Sequence, residues 1–438
     1  MKLHIENFAK ISSADILFDG LTVIAGDNNT GKNTVGKILY SAFRGLSNLD
    51  KRIRNARTDS MRHAFADVPG FNMVGDVLPL LLNGASVESV VSSMVDAFWS
   101  EGNKLGIRPP DDFDIDKIKQ MYADVVGSAV ERAKAQSDDD YGAKILERVF
   151  DCVFHKQYRP LQTFEGNTRL VLTVKGEENV LENADSKWTK RCPTKLVRIA
   201  RLIATPDILS LINVPDFNKD DLDIKFFDKY TSEIVRELRK TKDRRADSER
   251  IATEKTLQTI YEKLDVAIAG IFQRDDQNDL SLFEAGHSQP TKAANLSMGL
   301  KAFVLLRYML ERGVLSEKDV LILDEPENHL HPEWQVLYAH AIVLLQKAFD
   351  LTLLVTSHSQ FFVNALQRFS ISEGIVGKTN FYLSMRDERH PGFYTFEHKG
   401  RFAGQIMRSF GRAYDLIGDL SGETADEAAE DPADMRRD

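Results

Sequence analysis

The chain predicts an α/β fold, a central β-sheet interrupted by helical insertions. Three stretches carry that expectation. An apolar run, "LTVIA" (21–25), leads into "GDNNTGKNT" (26–34) and then a helix-periodic segment. A second apolar run ends in acids, "LILDEP" (321–326), and a third ends in "VTSHS" (355–359). Short, fully apolar runs of this kind suit strands covered on both faces.

Taken in order, "KLHIENF" (2–8) and "ADILF" (14–18) read as two short strands, and "LTVIAG" as a third. "TVGKILYSAFRGL" (34–46) places apolar residues at 35, 38, 39, 42, 43 and 46, which is helical spacing. Residues 47–160 read as a mostly helical insertion. In "FDIDKIKQMYADVVGSAVERAKA" (113–135), Ile115, Ile118, Met121, Val125, Ala129 and Val130 are expected on one face, with Asp114 or Asp116 as N-cap. "TRLVLTVKG" (168–176) reads as a strand within a segment of strands and linker, 161–216. A helical arm spans 217–270, its apolar stripe (Phe227, Tyr230, Ile234, Leu238) fading into a charged tip and resuming at Leu257, Ile260, Tyr261 and Leu264.

From 271 to 420 strands and helices alternate again. "DVLILDEP" (319–326) and "LTLLVTSHS" (351–359) are expected strands, "PEWQVLYAHAIVLLQKAF" (332–349) a helix, and "FYLSMRDE" with "FYTFEHKG" (381–388, 393–400) a β-hairpin. The core is therefore split between residues 1–46 and 271–420. Residues 421–438 read as a disordered acidic tail, since they are polar and carry few apolar residues.

Composition narrows the class. The 438 residues are 42% hydrophobic and 28% charged, a globular balance. Formal net charge is −9; residues 422–438 hold seven acids and two arginines, a net −5, leaving about −4 for the rest. That value neither demands nor forbids nucleic acid. No run approaches the roughly 18–20 apolar residues of a membrane span, and the N-terminus lacks a signal-peptide pattern. Cys152 and Cys192 make no metal motif or disulfide framework, so a reduced, cytoplasmic setting without membrane is expected.

Four stretches carry chemistry. In Gly26-x4-Gly31-Lys32, the glycines let backbone N–H groups turn toward phosphate oxygens, and Lys32 adds a point charge at the positive end of a helix. Asn28, Asn29, Thr30 and Thr34 complete this loop. A bare Gly/Asn turn is the competing reading. Asp324 and Glu325 end an apolar strand, where charges are costly without a task. Asp324 suits Mg²⁺ and Glu325 suits activation of an attacking water. "NLSMGLKAF" (295–303) places Ser297 as the cap of an amphipathic helix, with Gly299 in its first turn, so that hydroxyl and N–H groups face an anion; a capped helix without ligand reads equally well. His358 follows a buried strand, within reach of a terminal phosphate.

The ordered set resembles the ABC-type ATPase core of the P-loop NTPases, in the branch of SMC proteins, RecF and the OLD-like ATPases of bacterial defence. "GDNNTGKNT" resembles Walker A, "LILDEP" Walker B, "LSMGLK" the ABC signature and "TSHS" the switch-histidine loop. "DEPENHLHPEWQ" followed by "TSHSQFF" is especially similar to the OLD and RecF-like branch. The similarity covers about residues 1–46 and 270–370.

The resemblance implies two heads sandwiching two ATP molecules. Lys32, Asp324, Glu325 and His358 of one head face Ser297 and Gly299 of the other, in a head-to-head dimer or higher oligomer. Gln157 and Gln162 are two candidates for the family's glutamine loop. Asn33 departs from the pattern, because that position ordinarily gives Mg²⁺ a hydroxyl oxygen. A carboxamide oxygen also ligates hard cations but reaches differently, so slow turnover is expected. OLD nucleases carry a nuclease domain after the ATPase; no Glu-then-Asp-x-Asp cluster follows here. His329 and His331 belong to the Walker B region and are not assigned to metal. The expectation is an ATPase subunit controlling a separate nuclease or toxin effector in anti-phage defence, Septu-like before PARIS-like. A RecF-like DNA clamp and a nucleotide-gated scaffold are the alternatives. Residues 236–250, with seven basic and four acidic side chains, are where such a clamp would touch phosphates; a solvated coiled-coil tip is the other reading.

Overall fold

A computed structural model describes residues 1–65, 85–104, 114–159, 167–184, 187–193, 195–196, 198–212, 228–239, 247–275 and 279–408. The chain divides into two compact units, the first made of 1–47, 149–186 and 191–438, the second of 48–148 and 187–190.

The described elements run β1 (Lys2–Phe8), β2 (Ile11–Leu17), β3 (Leu21–Ala25), α1 (Lys32–Leu46), α2 (Leu49–Phe65), α3 (Val87–Lys104), α4 (Ile115–Ala135) and α5 (Asp138–Phe154). Strands β4 (Thr168–Val174), β5 (Glu177–Ala184), β6 (Lys187–Arg191) and β7 (Ala200–Ile203) follow. Next come α6 (Lys229–Arg239), α7 (Asp247–Ile268), β8 (Gly270–Arg274), β9 (Leu280–Glu284), β10 (Thr291–Lys292) and α8 (Met298–Glu311). The chain continues through β11 (Val320–Asp324), α9 (Pro332–Phe349), β12 (Thr352–Ser357), α10 (Gln360–Ser372), β13 (Thr379–Arg386) and β14 (Tyr394–Gly400).

In the first unit the strands lie in the order β5-β4-β1-β2-β14-β13-β3-β12-β11-β7. From β13 to β7 neighbouring strands run parallel. β1, β2, β4 and β5 pair antiparallel, and β14 joins β2 in parallel. β8, β9 and β10 form a separate antiparallel sheet.

The parallel region is covered on both faces, as its apolar strands require. Leu21, Val23, Leu321, Leu323, Leu353 and Val355 join one buried cluster with α7, α8 and α9. Ile322, Leu354 and Leu202 meet α1 on the other face. At Gly36 an added Cβ would lie 3.0 Å from Ile322, so only glycine lets the helix approach this closely. Each buried Leu, Ile or Val here contributes roughly 1.5–3 kcal/mol.

The expected helix at 332–349 matches α9, and the expected hairpin is the antiparallel pair β13–β14. α1 starts two residues earlier than the spacing indicates, because left-handed Gly31 (φ 86°) ends the loop at once. The strand expected over 319–326 ends at Asp324, since Glu325 turns out of extended backbone at φ 47°.

One expectation needs correction. On α4 Val130 is buried as expected, but its buried companions among the described side chains are Ala123 and Val126, whereas Met121 and Val125 are 56% and 39% exposed. Two apolar stripes compete on this helix, and the one with smaller side chains packs against α2 and α3. Asp114 is the N-cap, accepting the Lys117 N–H. In the arm, Tyr230, Ile234, Leu238, Leu257, Ile260 and Leu264 are buried as expected. Phe227, the tip at 240–246 and the tail at 421–438 lie outside the described residues. No described helix is long and apolar enough to cross a membrane.

Candidate functional site

β3, β12 and β11 are adjacent and parallel, with Ala25 opposite Ser357 and Asp324 opposite Thr356. Their carboxyl ends therefore deliver the glycine loop, the acid pair and His358 to one edge. Such an edge is where open α/β sheets hold ligands.

The loop is shaped by backbone that side chains resist. Gly26 (φ 147°), Asn29 (φ 64°) and Gly31 (φ 86°) have positive φ. A Cβ on Gly26 would lie 1.9 Å from Ser384 Oγ. The Thr30 hydroxyl donates to the Asp27 carbonyl at 2.8 Å and lies 2.8 Å from Ser384 Oγ, so β13 braces the loop from behind. No side chain caps α1, which leaves its first N–H groups for an anion.

Lys32 is 2% exposed and its ammonium donates to the carbonyls of Gly26 (2.9 Å) and Asp27 (2.7 Å). Glu325 Oε1 lies 3.8 Å away. Burial pushes the Lys32 pKa down, against the pull of Glu325, Asp324, Glu327 and Asp27. Asn28, Asn29 and Asn33 are exposed and Thr34 half-buried. Lys10, from the turn between β1 and β2, donates to Asn29 Oδ1 at 2.9 Å and brings a second cation to the loop.

The acids differ from one another. Burial, followed by its Glu325 neighbour, raises the Asp324 carboxyl to about 6, while the Thr356 hydroxyl opposes the shift. Thr356 donates to Asp324 Oδ1 at 2.6 Å. The Glu325 N–H reaches both the Thr356 hydroxyl (3.0 Å) and its carbonyl (3.2 Å). Left-handed backbone at a glutamate costs about 1–3 kcal/mol and persists only where the surroundings impose it. Asn328 Nδ2 donates to Glu325 Oε2 at 3.1 Å. His358 Nδ1 sits 3.6 Å from Glu325 Oε2 and 3.8 Å from Glu327 Oε1.

Lys32, Asp324, Glu325 and His358 are thus brought together with the loop. Ser297 and Gly299 have their described contacts elsewhere. Ser297 caps α8, accepting the Leu300 N–H at 3.3 Å, and a Cβ on Gly299 would lie 2.8 Å from the His329 carbonyl. Met298 nevertheless lines a small cavity of about 80 Å³ with Asp324, Glu325, Asn328 and His329. Gln157 is exposed just beyond α5, and Gln162 lies outside the described residues.

A Mg²⁺ ion fits this chemistry through Asp324, with Asn33 exposed at the start of α1. No group of three or more His, Cys, Asp or Glu side chains that could hold a metal occurs among the described residues. His329 is exposed and His331 precedes α9.

Sequence reasoning overlooked Lys10, Thr356, Ser384 and Glu327. Thr356 had a visible signal, a polar residue inside an apolar run. Glu327 had one too, as a third acid in "DEPE". Lys10, in the β1–β2 turn, and Ser384, some 350 residues beyond the loop on β13, had none.

A model of the family described as "AAA domain, putative AbiEii toxin, Type IV TA system" matches residues 21–364. No curated protein matches the chain. Among solved structures, similarity extends to an Smc head bound to the C-terminal winged-helix domain of ScpA, at 12% identity over 93% of this chain and 98% of that one, TM-score 0.44. The SMC head domain of Thermotoga maritima is 11% identical over 91% and 97%, TM-score 0.38. An Smc head with extended coiled coil bound to the C-terminal domain of ScpA, from Pyrococcus furiosus, is 10% identical over 96% and 98%, TM-score 0.39.

Proposed function

The chain belongs to this AAA-domain family, and from that premise we propose that it binds and slowly hydrolyses ATP to control a separate effector protein. The observation that carries the reading is the convergence of Lys32, Asp324, Glu325 and His358 at the ends of three adjacent parallel strands.

In this reading the loop 26–34 cradles the phosphates, and Lys32 exchanges its carbonyl partners for phosphate oxygens. Asp324 and Asn33 would hold Mg²⁺, which would supply positive charge against the phosphates. Glu325 orients the attacking water and takes its proton. Its left-handed backbone and the Asn328 contact aim the carboxylate before substrate arrives. His358 contacts the terminal phosphate. Ser297 and Gly299 of a second copy close the site, so that ATP holds two copies together until it is hydrolysed.

The family description names a "putative AbiEii toxin" of a toxin–antitoxin system, which supports a role linked to a toxic effector; the defence against phage is our own reading of that role.

The nucleotide reading is tested by binding and phosphate release. Lys32→Ala loses ATP binding, and Glu325→Gln retains binding, abolishes release and accumulates an ATP-dependent dimer on size exclusion. Asn33→Ser raises the Mg²⁺-dependent rate; an unchanged rate overturns the account of that position. Co-purification followed by mass spectrometry tests the effector. A nuclease or toxin partner supports it, whereas salt-dependent duplex binding by the isolated protein turns the reading to a DNA clamp.

A further inference from the structure

Glu327 is 2% exposed. A carboxylate so buried is costly unless its oxygens are paired. One of them is: Oε1 accepts the Ser357 hydroxyl at 2.6 Å and the His358 N–H at 3.0 Å. The other, Oε2, has no hydrogen-bond partner. Burial pushes this carboxyl up, and the Ser357 hydroxyl and the His358 N–H pull it down.

The surrounding turn explains why the cost is tolerated. Asn328 N–H bonds the Glu325 carbonyl at 3.1 Å, and Leu330 N–H bonds the Glu327 carbonyl at 3.0 Å. Glu325 and His329 both stand in left-handed backbone. These constraints fix the base of the Glu327 side chain and direct it to the end of β12. There Ser357 Oγ also accepts the Ser359 N–H at 3.1 Å. Ser359 in turn caps α10 and donates to Gln335 at 2.6 Å. The segment 357–359 is thus built around one buried carboxyl, while the His358 side chain itself remains 38% exposed.

We infer that Glu327 is a positioning residue: it sets the Ser357–His358 turn so that the imidazole stays beside Glu325 instead of swinging into solvent. This rests on the assignment of Glu325 and His358 to ATP hydrolysis given above.

A double-mutant cycle on the full chain tests it under single-turnover conditions. Glu327→Ala lowers the rate about tenfold or more with ATP affinity within about threefold of wild type. Glu327→Gln keeps an acceptor for both donors and stays within about threefold of wild type. Glu327→Ala adds nothing in a His358→Ala background; full additivity means that Glu327 acts elsewhere and overturns the inference. Selective ¹⁵N-histidine labelling follows the His358 amide independently of turnover. Its exchange speeds up at least about tenfold in Glu327→Ala and not in Glu327→Gln. Unchanged exchange in Glu327→Ala overturns the anchor. Equal hydrolysis by His358→Ala and wild type defeats the reading of the site, and the exchange result then judges the anchor alone. Should Glu327→Ala fail to fold, Ser357→Ala carries the cycle: a lower rate at unchanged affinity supports the inference, and an unchanged rate overturns it.

Discussion

Thr356 donates its hydroxyl hydrogen to Asp324 at 2.6 Å while the same oxygen receives the Glu325 N–H at 3.0 Å. One side chain of β12 thus holds the Asp324 carboxylate at the end of β11 and the Glu325 backbone just beyond it. Thr356→Val keeps the shape and loses both bonds. We expect a loss of about 1.5–3 kcal/mol at neutral pH, measured by urea unfolding. The loss shrinks near pH 5, where Asp324, raised to about 6, is largely protonated. Thr356→Ser restores stability at both pH values.

Gly26→Ala places a methyl group 1.9 Å from Ser384 Oγ at a backbone φ of 147°. The expected cost is about 2–4 kcal/mol, with loss of ATP binding, read by thermal melting and titration calorimetry. Adding Ser384→Ala removes the nearest clashing atom and recovers part of the stability. The strained φ remains, so recovery is incomplete.

Arg201, 4% exposed, bonds Glu237 of α6 and Asp319 at the start of β11, each at 2.7 Å. Arg201→Ala removes the guanidinium that bridges the two carboxylates. Destabilisation of about 3–5 kcal/mol is expected in urea unfolding. The further change Glu237→Gln regains part of it by removing one of the two carboxylate charges.

Asp387 gives a pH signature. The Ser12 hydroxyl beside it, with the His390 ring and the Arg389 N–H, holds its carboxyl at about 2, against an ordinary 3.8. The resulting stabilisation is fully present above pH 3.8 and is lost as pH falls through about 2. Asp387→Asn removes it, with a cost at pH 7 of about 1 kcal/mol after solvent screening. Acid titrations of the two proteins should converge near pH 2 and part above pH 4.

What was legible in the sequence follows from range. Lys32, Asp324, Glu325 and His358 each adjoin an apolar strand, and local pattern alone exposes them. α9 announced itself by Pro332 at its start and an unbroken apolar stripe. Placing β13 and β14 between β2 and β3 required knowledge of pairings some 360 residues apart. Ser384 and Lys10 reach the loop only through those pairings, which no local periodicity encodes. On α4 the face expected from periodicity was overturned, because packing against neighbours buries Ala123 and Val126 and leaves Met121 and Val125 exposed. Glu327 stood in plain view; its meaning came from Ser357 and His358, thirty residues further on.

The strand bearing the phosphate loop has β12 and β13 as its two neighbours, both drawn from beyond residue 350. Synthesis from the N-terminus therefore produces Gly26 to Asn33 long before anything exists to flank β3. A ribosome-bound chain that has exposed only its first 340 residues lacks both edges of that strand. The loop at 26–34 consequently gains both flanking strands only once synthesis has passed residue 386.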